Sequence, residues 1–353
     1  MKRVFVSNLK EGMIVGRDIY TEGNLLILPA GVVLTKAIIE HLESLDLLDI
    51  LIDDEKKPED LEEKAPVQSP NFIEFNKNYT SQINKLNNTF DKILENGASK
   101  EEVETLLETT WESMPQTSNT YEMLNMLYSM HSYSDATYMH CMNVGIIASL
   151  IGKWLGWSEE DRRILYSCGL LHDIGKLAIP KSILDKPGKL TDIEYTIMKT
   201  HTVKGYEMLR NSGIDKRILF PVLKHHERLD GTGYPLQLKE DKIDRYTKVI
   251  AVADVYEAMT ADRVYRKSMC PFDVIAQFES TGFGVFDTEI LLVFLHNIVN
   301  SYLNAKVKLS NGEEAEVVLV NRQEGSKPLL MTSSGKIIDM LKEKDIKISE
   351  MVK

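Results

Sequence analysis

Apolar residues recur at two different spacings along the chain, and the change between them divides it. Over residues 1–54 short apolar runs stand between polar turns: VFV at 4–6, MIV at 13–15, LLIL at 25–28 and VVL at 32–34. Runs this short and rich in Val and Ile predict strands, with Pro29, Ala30 and Gly31 forming a turn between two of them. Residues 35–47, TKAIIEHLESLDL, take up a helical spacing with Thr35 as N-cap, and DILI at 49–52 predicts a last strand. From 71 to 130 the helical spacing returns through Phe72, Phe75, Tyr79, Ile83, Leu86, Phe90, Ile93 and Leu94, punctuated by Asn96-Gly97 and Pro115. This stretch fits a helical hairpin, a dimer-forming stalk, or helices packed on the helical core C-terminal to it. Past residue 303 the period falls to two. AKVKLSNGEEAEVVLV alternates about an Asn311-Gly312 turn, a strong hairpin signal. LLM at 329–331 and KIID at 336–339 predict a second hairpin, and DIKISEMV one more strand.

The pattern therefore predicts a mainly α protein with small β-rich pieces at each end. We divide it into a β-rich N-terminal regulatory or docking domain at 1–54, a linker at 55–70, a helical domain at 71–303 and a C-terminal β-hairpin extension at 304–353. The linker lies in DDEKKPEDLEEKAPVQSP, an acidic run with three prolines, the composition of a solvated spacer. With 353 residues and 43% hydrophobic content, the chain can build two or three compact cores. A net charge of −11 argues against binding a nucleic-acid polymer. No run approaches the ~18 apolar residues of a membrane span. MKRVFVSNLKEGM lacks the apolar region of a secretory signal. Cys141, Cys168 and Cys270 have no paired spacing and read as reduced thiols of a cytoplasmic protein.

Candidate chemistry concentrates in the helical segment. HDIGK at 172–176 places an imidazole and a carboxylate side by side, a pair that can bind a divalent metal, with a lysine three residues on. The preceding DRRILYSCGLL carries Ile164, Leu165, Cys168 and Leu171 on one face, and Gly175 reads as a helix end. His172 and Asp173 thus fall at the last turn of a buried helix, where the helix dipole disfavours an anion unless a cation is near. A polar pair capping a helix is the plain alternative. Against it stand His140, His201, His225 and His226, each in an apolar helical pattern, and Asp254 within VIAVADVYEAM. One such histidine is usually a core residue. Five with two apolar-face aspartates exceed what the nearby cations can pair, and an unpaired buried carboxylate costs several kcal/mol.

HDIGK, His201, HHERLDGTGYP at 225–235 and ADVYEAMTADRVYR at 253–266 together resemble the HD-GYP domain, a bacterial branch of the HD phosphohydrolase superfamily. The resemblance spans 118–303. It implies a helical domain with a metal centre that hydrolyses a cyclic dinucleotide, cyclic di-GMP or the hybrid cyclic GMP-AMP. It implies metal ligands His140, His172, Asp173, His201, His225, His226 and Asp254, with Asp173 bridging two metals. It also implies catalytic roles for Asp173 and Lys176, and substrate contacts from Lys176, Tyr234, Arg263 and Arg266. Some relatives hold a third metal through a Glu four residues before the first His; Ala136 stands there, so two metals are expected. The imidazole and carboxylate donors suit iron or manganese, which the resemblance favours, and also zinc, cobalt or nickel. The common RPYR reads RVYR, and the His expected before the later FDP segment is missing from GVFDTE. The GTGYP loop is expected to line the pocket or to serve as a docking point for a partner domain. Two other functions remain open: a sensor that binds cyclic di-GMP without cutting it, and a phosphohydrolase for another nucleotide.

Overall fold

The computed structural model describes residues 1–352 apart from 18, 21–25, 29–31, 44–46, 55–69, 114–122, 125–126, 128–135, 262–267 and 322–323. The chain divides into two compact units. One comprises residues 1–66, 270–279 and 294–353, the other 67–269 and 280–293. This division differs from the four segments drawn from the sequence, because it groups the N-terminal strands with the C-terminal ones.

In the first unit, strands β1 (Lys2–Phe5), β2 (Ile14–Val15), β3 (Ile19–Tyr20), β4 (Leu26–Leu28) and β5 (Asp49–Asp53) surround helix α1 (Lys36–Glu43) in sequence. β5 pairs antiparallel with both β1 and β2. Thr35 caps α1, its hydroxyl accepting from the Ile38 amide at 3.3 Å. The expected strand at 32–34 is only a bridge, Val33 to Ile14, because the pairing stops after one residue. Val6 leaves β1 for a 3-10 turn. The turn at 29–31 and residues 55–69 of the 55–70 linker lie outside the described residues, while Pro70 already begins a helix. The C-terminal strands β6 (Lys306–Leu309), β7 (Glu314–Leu319), β8 (Leu329–Thr332), β9 (Ile337–Asp339) and β10 (Ile348–Met351) form one antiparallel sheet in the order β10-β6-β7-β8-β9. Gly312 takes a φ of +86° at the first hairpin, as the Asn-Gly signal requires.

The second unit is helical. Its elements include α2 (Pro70–Asn96), α3 (Lys100–Glu112), α4 (Ala136–Trp154), α5 (Glu159–Leu171), α6 (Lys181–Leu184), α7 (Asp192–Lys199), α8 (His201–Leu209), α9 (Lys216–Lys224) and α10 (Arg245–Thr260), with a 3-10 turn at Ile174–Ala178. α4 is buried on nearly every face from Met139 to Gly152, which marks it as a core helix rather than a surface one. α5 starts at Ser158, whose side chain accepts from the Asp161 amide, and has three acids in its first turn. α4 and α5 meet backbone to backbone: a Cβ on Gly169 would lie 2.3 Å from the Gly145 nitrogen. Gly175 is tighter still, its would-be Cβ 1.9 Å from the His201 carbonyl oxygen. These two close approaches pack the middle of α4 on the end of α5, and the 3-10 turn on the start of α8, at one place.

Candidate metal centre

That place is where the sequence-predicted ligands converge. His140 comes from α4, His172 and Asp173 from the end of α5, and His201 from the first residue of α8. His225 and His226 follow α9, and Asp254 lies within α10. His140, His172, Asp173, His201, His225 and Asp254 are buried, and His226 is 20% exposed.

The two carboxylates sort the imidazoles into two groups. Asp173 Oδ2 lies 3.3 Å from Nε2 of both His140 and His172. Its other oxygen, Oδ1, lies 3.3 Å from His201 Nε2 and 3.9 Å from His225 Nε2. Asp254 Oδ1 is 3.1 Å from His140 Nε2, while its Oδ2 is 3.6 Å from His226 Nδ1. Three groups with metal-ligand spacing result: His140/His172/Asp254, His201/His225/His226, and His172/Asp173/His225, which joins the other two through Asp173.

The opposite edges of the rings decide what the facing nitrogens can do. His172 Nδ1 donates to the Gly169 carbonyl at 2.7 Å, His201 Nδ1 to the Met198 carbonyl at 2.7 Å, and His225 Nδ1 to the Pro221 carbonyl at 3.1 Å. His140 Nδ1 bonds Glu257 Oε2. With a proton held on Nδ1, each ring turns Nε2 inward, as a lone pair once that nitrogen carries no second proton. These Nε2 atoms lie close together, 3.2 Å apart for His140 and His172 and 3.3 Å for His201 and His225. Asp173 Oδ1 is buried without a hydrogen-bond partner. Facing lone pairs and an orphaned carboxylate oxygen are the donor set of a cation site, and imidazole plus carboxylate suits a divalent transition metal.

The titration behaviour agrees. Burial and the neighbouring histidines hold His225 well below the usual imidazole range, and burial brings His226 down to about 3. Burial also lowers His201. These rings stay neutral and keep their lone pairs at physiological pH. His140 behaves oppositely. Burial opposes its charge, but Glu257, Asp173 and Asp254 outweigh burial and hold it up at about 10. A proton on His140 therefore competes with a metal at neutral pH. Loading the metal-free chain with Mn2+ at pH 7 is expected to release about one proton from His140, and affinity is expected to fall as pH is lowered. Calorimetric titrations in two buffers of different ionisation enthalpy measure this; release of no proton would contradict it.

Lys176 Nζ bonds Asp173 Oδ2, so the lysine lies inside the centre with a side chain 17% exposed. The GYP loop closes one side. Tyr234 is half-buried, its ring 4.6 Å from that of His226, rather than standing out as an exposed docking residue. Glu227 holds the loop by accepting from the Leu236 and Leu238 amides at 2.6 and 2.8 Å. Arg263 and Arg266 lie outside the described residues, as does the side chain at Ala136. Sequence reasoning alone misses Glu227, Asn143 and Glu257. Glu257 is readable as a second acid three residues after Asp254 in the same apolar run, one helical turn away.

Residues 118–289 match the family described as HD domain. This segment is an HD domain. The HD phosphohydrolase domain is metal-dependent, in keeping with the His and Asp cluster here. The chain is 35% identical over 187 residues to a cyclic di-GMP phosphodiesterase of Pseudomonas aeruginosa, covering 53% of this chain and 45% of the relative. It is 41% identical over 171 residues to the cyclic di-GMP phosphodiesterase response regulator RpfG of Xanthomonas campestris, covering 47% of this chain and 45% of that one. The chain thus spans less than half the length of these curated relatives. The structure resembles that of an HDG"Y"P protein from Bdellovibrio bacteriovorus with a TM-score of 0.54, over 84% of this chain and 99% of that one. At 15% identity that likeness speaks for the fold alone. The HD domain and its HD-GYP motifs, the resemblance read from the sequence, stand on these matches. Among the described residues, no helix is long and apolar enough to cross a membrane.

Proposed function

We propose that this chain is a metal-dependent phosphodiesterase that hydrolyses a cyclic dinucleotide, with cyclic di-GMP as the leading substrate. The observation that carries the reading is the position of Asp173, whose two oxygens face two separate imidazole groups. That arrangement supports a two-ion centre bridged by Asp173. His140, His172 and Asp254 would hold one ion, and His201, His225 and His226 the other. Iron or manganese fits the donors best, with zinc, cobalt or nickel as lesser fits.

When bound, two such ions supply Lewis acidity and an activated water for attack at phosphorus. The chain does the rest. The Nδ1 hydrogen bonds fix each ring before substrate arrives, so no reorganisation is needed. Lys176 places a positive charge beside the position where phosphoryl oxygens gain negative charge. Tyr234 walls one side of the pocket. Arg263 and Arg266, assigned from DRVYR alone, would bind the remaining phosphate. We assign catalysis to residues 71–303 and a regulatory role to 1–54. Leu236 beside Tyr234 is 53% exposed, which supports docking of a partner domain at the GYP loop. Three buried, unpaired cysteines support a cytoplasmic setting.

The test is direct. The chain is purified without oxygen, its metals are measured, and it is incubated with cyclic di-GMP, cyclic GMP-AMP and linear nucleotides. Cleavage of a cyclic dinucleotide is expected. Tight binding by the metal-loaded protein without product would replace the enzyme with a sensor, and cleavage of mononucleotides alone would remove cyclic dinucleotides as the substrate class.

A further inference from the structure

A buried polar chain runs from α2 to the metal centre. Tyr79 Oη donates to Asn143 Oδ1 at 2.6 Å, and Asn143 Nδ2 donates to Glu257 Oε1 at 3.0 Å. The second oxygen of Glu257 bonds His140 Nδ1. All four side chains are 4% exposed. Tyr79 lies on α2, before the segment that matches the HD domain. We propose that Tyr79, Asn143 and Glu257 position His140, so that α2 is a working part of the metal centre. The proposal rests on the metal-centre reading above.

The physical reason lies in the amide. An asparagine side chain can be turned over, exchanging oxygen for nitrogen. Here the Glu257 carboxylate only accepts, so Nδ2 must face it and Oδ1 is left to Tyr79, whose hydroxyl satisfies it at 2.6 Å and also lies 3.4 Å from the Met139 carbonyl. Glu257 is thereby held with one oxygen on Asn143 and the other on His140. That keeps a proton on His140 Nδ1 and turns its Nε2 toward Asp173 and Asp254, where an ion can replace the proton Nε2 carries. Without the hydroxyl Asn143 Oδ1 is buried and unpaired, so the amide is no longer held at both ends, which loosens Glu257 and then the ring. Tyr79, Asn143 and Glu257 are positioning residues, acting only through His140.

Buried polar groups also need partners for stability alone, so the test must separate the two roles. Tyr166 provides the control. It is 1% exposed, and its hydroxyl bonds Met142 Sδ at 3.1 Å and the Thr110 carbonyl at 3.3 Å rather than Asn143 or Glu257. Mn2+ binding to the metal-free full chain is measured by calorimetry, with thermal unfolding alongside. Tyr79→Phe is expected to weaken one class of Mn2+ site by about 3- to 10-fold, and Glu257→Gln the same class by about 10- to 100-fold. The other class and the Tyr166→Phe variant should stay at the wild-type affinity. If Tyr79→Phe and Tyr166→Phe have the same Mn2+ affinities, or if both classes weaken together, the relay is wrong. Should Glu257→Gln fail to fold, the two Tyr variants still decide. Failure of the wild type to cut any cyclic dinucleotide would remove the functional reading but leave this comparison intact. A wild type that binds no divalent ion would overturn both.

Discussion

Asp173→Asn is expected to lower cyclic di-GMP hydrolysis by about 10³-fold or more in kcat, while the protein still folds. Asn keeps the volume of Asp, so the packing around α5 survives. What it removes is the charge that faces both imidazole groups and Lys176. Burial opposes that charge, but Lys176, His172 and His140 outweigh it and hold the Asp173 carboxyl well below the usual range, so it is ionised at neutral pH. A neutral amide cannot balance two cations, and its nitrogen would point a donor at one of them. Stability should respond in a diagnostic way. Ligand that binds only the folded chain stabilises it, by about 2.7 kcal/mol at a hundred times Kd. For a domain of this size that raises Tm by roughly 5–10 °C. The wild type should show such a rise with Mn2+, and Asp173→Asn clearly less. Hydrolysis within tenfold of wild type, or an equal rise in Tm, would remove Asp173 from the bridging role.

The site was more legible in the sequence than the fold around it. His140, His172, Asp173, His201, His225, His226 and Asp254 stood out because each is a polar residue in an apolar helical pattern, and the structure gathers all of them. What supports them left weaker marks. Asn143 is a polar residue on α4 with no motif of its own, and Glu257 sits inside ADVYEAMTADRVYR but is not among the ligands that the resemblance implies. Glu227 sits inside HHERLDGTGYP, yet its role is to accept two backbone amides from beyond Pro235, a contact set by the path of the loop. Tyr79 reads as one more apolar-face aromatic, since nothing local says that its hydroxyl meets a side chain sixty-four positions away. At the chain ends, the Asn311-Gly312 hairpin was readable because its turn needs a positive φ that few residues supply. The grouping of residues 1–66 with 294–353 is a long-range pairing that no local period encodes.

Gly175→Ala is expected to damage the centre from a position that binds nothing. The added Cβ would lie 1.9 Å from the His201 carbonyl oxygen and 2.4 Å from the Gly205 nitrogen. Both are backbone atoms of α8, so no side chain can swing aside, and α8 itself must retreat. His201 is the first residue of that helix and takes the full displacement. Overpacking of this kind costs about 1–3 kcal/mol, and a shift near 1 Å in a catalytic group costs about 10²-fold in rate. Gly205→Ala supplies the contrast on the other side of the same contact. Its nearest neighbours are a Val222 methyl at 2.9 Å and the Gly175 nitrogen at 3.2 Å, so a far smaller displacement relieves it. Its loss of hydrolysis should be at least tenfold smaller than that of Gly175→Ala, on the same scale of misplacement. Because neither glycine carries a ligand atom, Mn2+ affinity measured with the rates locates the damage. In Gly175→Ala the His201/His225/His226 class should weaken and the His140/His172/Asp254 class should hold. Equal losses in the two variants, or full activity in Gly175→Ala, would mean that the approach of α8 to the 3-10 turn does not set the geometry of His201.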